Sequence, residues 1–190
     1  MTLHPRAALV PALVATLALA ACGGSTTSSG GASASSGSMA TSGSTAGACP
    51  TSNTRAFAKT RFITDVGLAA GTFHHWIYTP YKTGALAKGA KGRITALIKA
   101  GTVALVDAKL VDNAYKDVQA SPVLCKVLIA PLSELKTELN SLKGRIVTGD
   151  TSSLPGVDST VQQIESAASS GGAAITENSD LSAAQTASQS

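Results

Sequence analysis

The chain has 190 residues, 44% of them apolar, 4% aromatic and 14% charged, and its formal charge is +4. That length allows one domain and at most a small second one, which excludes a large multidomain architecture. The charge is unevenly placed: positions 55–150 carry 14 basic and 7 acidic residues, whereas the four acids beyond them make the C-terminal part negative.

Met1 to Arg6 form a weakly positive opening, and an apolar run at positions 7–19 follows. The run is shorter than the ~20 residues that a helix needs to cross a bilayer, so it reads as the core of a signal peptide. It closes on Leu19-Ala20-Ala21-Cys22, which resembles a lipobox of the actinobacterial type: leucine, two small residues for the peptidase, and a cysteine whose thiol takes the lipid. The resemblance implies a lipoprotein signal peptide at 1–21, lipidation of Cys22, and a place on the extracytoplasmic face of the cell membrane. Two or more chains, palmitate among them, hold a protein firmly where one holds marginally. Positions 22–48 are almost wholly Gly, Ser, Thr and Ala, a composition that cannot bury enough apolar surface to order itself and so predicts a flexible linker.

Positions 49–150 are expected to form an all-α domain, a small bundle of three to four helices. The first helix is marked by Phe62, Val66, Ala69, Phe73 and Trp76 or Ile77 at three- and four-residue steps. Gly67 and Gly71 add a small flank, and Thr79-Pro80 is expected to end the helix. A second helix is expected over about 86–119, with Ile94, Leu97, Ile98, Leu105, Val111 and Val118 on its buried face. It also carries a row of Ala96, Ala100, Ala104 and Ala108 against which the Gly67/Gly71 flank packs. The glycines at 84, 89 and 92 predict fraying or a bend before Arg93. Ser121-Pro122 restarts the chain as a third helix. There Leu132, Leu135, Leu139 and Leu142 line one face, Pro131 kinks or divides the helix, and Gly144 ends it. Arg145 to Thr148 looks strand-like. The rest, 151–190, reads as a polar, disordered tail with one marginal helix at about 159–168, opened by Ser159 and Gln162.

With Cys22 lipidated, Cys49 and Cys125 remain, and an even pair in an oxidising compartment predicts a disulfide. The adjacent His74 and His75 point about 100° apart on a helix, so the two rings do not share one metal. No metal, cofactor or nucleic acid is expected, and no G-x-S-x-G elbow, P-loop, H-E-x-x-H or C-x-x-C pattern marks an enzyme. The candidate binding residues are His74, His75, Trp76, Tyr78 and Tyr81 at the aromatic end of the first helix, and Lys88, Lys91 and Arg93 just beyond it. No acid lies between Lys82 and Lys99, so this segment suits a partner protein of the envelope or an anionic lipid headgroup. A solvated helix surface is the plainer alternative.

The stretch Gly71-Thr-Phe-His-His-Trp-Ile-Tyr-Thr-Pro-Tyr-Lys-Thr-Gly84, with Lys88-Gly-Ala-Lys-Gly-Arg93 and Ser121-Pro-Val-Leu-Cys125, resembles uncharacterised secreted helical proteins of high-GC Gram-positive bacteria. This resemblance implies an all-helical envelope protein and carries over no catalytic residue. Together these readings predict a membrane-anchored, non-enzymatic interaction or structural module. A binding module for a small apolar or anionic ligand is the alternative, and an envelope enzyme the third.

Overall fold

The structure, a computed structural model, describes residues 49–190. The signal peptide, Cys22 and the Ser/Gly linker lie outside the described residues. Helix α1 spans Ala58–Phe73 and runs through a wider turn of i→i+5 bonding at His74–Tyr78 into α2, Thr79–Lys82. Then come α3 at Arg93–Gln119, α4 at Pro122–Arg145, a 3₁₀ turn at Ile146–Thr148, α5 at Leu154–Ser170 and α6 at Leu181–Ala187. The fold is all-α, as the periodicity predicts, and no strand occurs among the described residues.

The four long helices run up, down, up and down around one core. Thr54 donates its N–H to the Ala120 carbonyl, so the start of α1 lies beside the end of α3. Gly156 near the start of α5 faces Glu138 in the second half of α4, and Gly171, just past the end of α5, faces Val127 near the start of α4. All four helices meet at a small space of about 10 Å³, walled by Val66, Ala69 and Phe73, by Val111, by Leu135 and Leu139, and by Val161 and Ile164. Burial of Phe62, Phe73, Ile77, Leu110, Leu128, Leu132, Leu139, Leu142, Leu154 and Ile164 is the main force closing the bundle, at about 1.5–3 kcal/mol per large side chain.

The fourth helix of the bundle therefore comes from the stretch expected to be a polar tail with one marginal helix at about 159–168. Leu154, Val157, Val161, Ile164 and Ala168 are all buried, five apolar residues at helical spacing in a segment otherwise Ser- and Gly-rich. Helix α5 begins at Leu154 with Pro155 in its first turn, five residues before the expected cap at Ser159. Proline pre-sets the φ of an N-terminal turn and needs no donor there.

Other expectations also change. Pro80 does not end the first helix. A proline lacks the N–H that would reach the carbonyl four residues back, and the widened turn just before it, in which the Thr79 N–H reaches the His74 carbonyl, accommodates that loss. Gly84, with φ 77°, lies beyond the true end. Helix α3 starts at Arg93, and Leu86 is buried in the preceding turns. Its alanine row is buried at Ala100, Ala104 and Ala108, but Ile94, Ile98 and Leu105 are 73%, 62% and 54% exposed. The two rows lie about a third of a turn apart on a 3.6-residue helix, and the neighbouring helices cover only the first. Gly67 and Gly71 do not meet the alanine row. Pro131 sits inside one continuous α4, which passes Gly144; the 3₁₀ turn 146–148, not a strand, follows, and Gly149 with φ 85° closes it.

Candidate functional site

At the aromatic end of α1 the sequence-predicted residues come together with residues from 158 onward. The wide turn at His74–Tyr78 sets the rings in a row: Phe73 stacks on Tyr78 at 5.9 Å between centroids, and Tyr78 stacks on Tyr81 at 5.9 Å. His74 lies between two carboxylates. Its Nδ1 is 2.8 Å from Glu177 Oε1 and its Nε2 is 2.9 Å from Asp158 Oδ1. Carboxylates only accept, so both ring nitrogens carry protons and the imidazole is cationic. Burial opposes that charge, but the hydrogen bonds and charges of Glu177 and Asp158 outweigh it and raise the His74 pKa. Glu165 stands close by, its pKa raised by burial and then by Glu177.

The C-terminal segment is laid across this histidine. Gly67 and Gly71 are the floor on which it rests: a Cβ on Gly67 would meet the Thr176 carbonyl oxygen, and one on Gly71 would meet the Asn178 backbone. The Asn178 N–H donates to the Gly67 carbonyl at 2.9 Å, and Trp76 Nε1 donates to the Ser179 carbonyl at 3.3 Å. Asp180 then caps α6 by accepting from the N–H groups of Ser182 and Ala183. The small-residue flank thus receives an extended main chain rather than a helix.

These contacts occupy most of the chemistry that the sequence placed here. His74 has no free nitrogen. Trp76 is bonded to the segment on one side and carries the Lys99 ammonium 3.4 Å over its ring on the other. His75 alone is exposed, its ring edge-on to Trp76 at 4.5 Å. It borders an open concavity of about 270 Å³ with Gly71, His74, Thr79, Glu177 and Ser179. Among the described residues no three His, Cys, Asp or Glu side chains are placed to hold a metal ion.

The basic residues divide. Arg93 turns inward: its Nε donates to the Leu86 carbonyl at 3.0 Å and its guanidinium packs over Gly149, so it closes the loop before α3. Lys88 and Lys91 are exposed. Further along α3, Ile94, Ile98 and Leu105 are exposed, and Val147, 54% exposed, packs on Gly101 of the same helix.

Sequence reasoning missed Asp158 and Glu177, and it missed Asp107, which is fully buried on α3. Thr72 Oγ lies 2.6 Å from both the Leu68 carbonyl oxygen and Asp107 Oδ1. One hydroxyl proton cannot serve two acceptors, and a protonated Asp107 supplies the second. Burial raises its pKa well above the usual carboxylate range. The signal for Asp107 is its place on the buried arc of α3, three residues after Ala104. Asp158 and Glu177 left none. At the opposite end of the bundle Cys49 and Cys125 stand at disulfide distance, with sulfurs 1.99 Å and Cα atoms 5.6 Å apart.

Fold and contacts together define a four-helix bundle clasped by its own C-terminal segment, with one cysteine pair at its entrance. No protein-family model, curated protein or solved structure matches the chain.

Proposed function

We propose that the protein is a membrane-anchored extracytoplasmic lipoprotein, held by lipid on Cys22, whose bundle is a non-enzymatic interaction module of the cell envelope. The observation that supports this reading is how the polar groups are used. His74, Trp76 and Arg93 serve the fold, while Lys88 and Lys91 are exposed in the turns that lead into α3, whose exposed Ile94, Ile98 and Leu105 follow them. Exposed cations and apolar side chains suit a contact surface better than a reaction centre. The test is crosslinking in intact cells followed by affinity capture. A Lys88→Glu/Lys91→Glu variant loses the partner that the wild type captures and keeps its thermal stability; capture unaffected by the variant removes the assignment. Palmitate labelling that disappears in Cys22→Ala supports the anchor, and labelling that persists there rejects it.

A second reading, a site for a small anionic or apolar ligand, draws on the concavity beside His75. Thermal stabilisation of the bundle by such a compound, weakened in His75→Ala, would favour it over the first.

A further inference from the structure

The bundle exposes a second apolar surface, at the end where the chain enters it. Phe57 is 77% exposed, Val123 63% and Val127 43%. They share one face: Phe57, Lys59, Val123 and Gly171 line a concavity of about 280 Å³, and Val127 lies against Gly171. Phe57 is also the only non-glycine residue among those described with a left-handed backbone, at φ 58° and ψ 19°. That conformation disfavours a bulky side chain, and here it accompanies a ring that the bundle does not bury.

Arg55 and Lys59 line this concavity, and the exposed Lys126 follows Val123 by three residues on α4, one helical turn along. Arg55 is paired with Asp117 at 2.8 Å, whereas Lys59 and Lys126 pair with no carboxylate among the described residues. The acids nearest to Arg55, Asp65 and Asp117, are buried. A phenylalanine and two valines flanked by two lysines match the boundary of an anionic bilayer, where rings and methyls enter the acyl edge and ammonium groups stay with the headgroups. A second copy fits poorly, because it would set Lys59 and Lys126 of both chains together without an acid between them. Three side chains are also far short of the ~800 Å² that each partner of a stable protein complex covers.

We propose that this end of the bundle docks on an anionic lipid surface through Phe57, Val123 and Val127, with Lys59 and Lys126 on the headgroups. The inference rests on the anchored reading for its geometry. Cys49, bonded to Cys125 on α4, is 27 residues along the chain from Cys22, so a chain held by lipid at Cys22 enters the bundle at the end that carries the docking face. Helix α3 is about 40 Å long at 1.5 Å per residue. Docking therefore turns Lys88, Lys91, Ile94 and Ile98, at its far end, away from the bilayer and toward a partner.

The test uses residues 22–190 with Cys22→Ser, which removes the lipid and keeps the whole bundle. Trp76→Phe removes the single tryptophan and Phe57→Trp installs a reporter; Val123→Trp serves if that variant fails to fold. With vesicles of phosphatidylglycerol and phosphatidylcholine, the reporter emission is expected to shift to the blue, to be quenched by brominated acyl chains, and to revert with salt. Lys59→Glu with Lys126→Glu should lower partitioning at least about twentyfold, at about fivefold per cation lost. Ile94→Asp with Ile98→Asp should leave it unchanged. No shift at any phosphatidylglycerol content overturns the proposal. So does binding that the Ile94/Ile98 pair abolishes, or self-association at this face without vesicle binding. Vesicle binding without palmitate on Cys22 in cells would keep the docking face and reject the anchor. Palmitate without vesicle binding would do the reverse.

Discussion

A carboxyl group enclosed by four apolar helices is tolerated only as the neutral acid, because an ionised one would lose its hydration without a cation to replace it. Asp107 meets that condition through Thr72, while its Oδ2 has no hydrogen-bond partner. In the unfolded chain it ionises near pH 4, so the native state holds one proton more and loses stability as pH rises. Asp107→Asn keeps the shape and the donor to Thr72 without the titration. It should raise stability at pH 7 and change it little at pH 4, as read from urea unfolding at the two values. His74 gives the opposite experiment. Removing its charge in His74→Gln leaves Asp158, Glu165 and Glu177 close together without their cation, so limited proteolysis should cut the 172–180 segment at least tenfold faster. His74 was legible as a candidate because it stands in an aromatic run. Its partners lie 84 and 103 residues away, and no local pattern links a histidine to carboxylates at that distance.

At the scale of elements, periodicity located the helices wherever large apolar residues recur, as in the Leu132, Leu135, Leu139 and Leu142 face. It understated α5, whose apolar spacing Leu154, Val157, Val161 and Ile164 is diluted by Ser and Gln, and it failed where the main chain carries the contact, as in the extended segment at 176–178. The Gly67/Gly71 flank did announce a close approach, but nothing in those two residues says whether a helix or a strand makes it. Gly71→Ala separates the contributions: the substitution improves helix propensity by up to about 1 kcal/mol, yet its methyl lands on backbone that no rotamer can move aside. Net destabilisation is expected, together with loss of hydrogen-exchange protection at the Asn178 amide. Full protection in the variant would contradict this packing. The Cys49–Cys125 pair closes 76 residues of chain. In the chain-entropy model such a loop is worth about 4 kcal/mol, so reduction should lower Tm by roughly 8–16 °C for a domain of this size.

Among the described residues most of the titration shifts favour the native state at low pH. Burial first, and then the charge of Asp117, push the Asp65 carboxyl up to about 7; burial also raises Asp107, Asp117 and Glu138. For each of these acids the stabilising proton is held in the native state above the unfolded pKa near 4, and stability is lost as pH climbs through the native value. His74, raised by Glu177 and Asp158 against burial, adds to the same trend: its contribution is complete below about pH 6.5 and is lost as pH rises through its native pKa. The opposing group is Asp150, lowered to about 2 by Ser152 and Arg145, and its contribution fades only in strong acid. The bundle should therefore be most stable near pH 4–5, with Tm about 5 °C or more lower at pH 8. Calorimetry across that range tests the trend, and Asp107→Asn combined with His74→Gln should reduce it, leaving the part carried by Asp65, Asp117 and Glu138. A wild-type Tm that is constant or rises from pH 5 to 8 would mean that these carboxyls ionise in the folded protein, and would remove the proton-sharing assigned to Thr72 and Asp107.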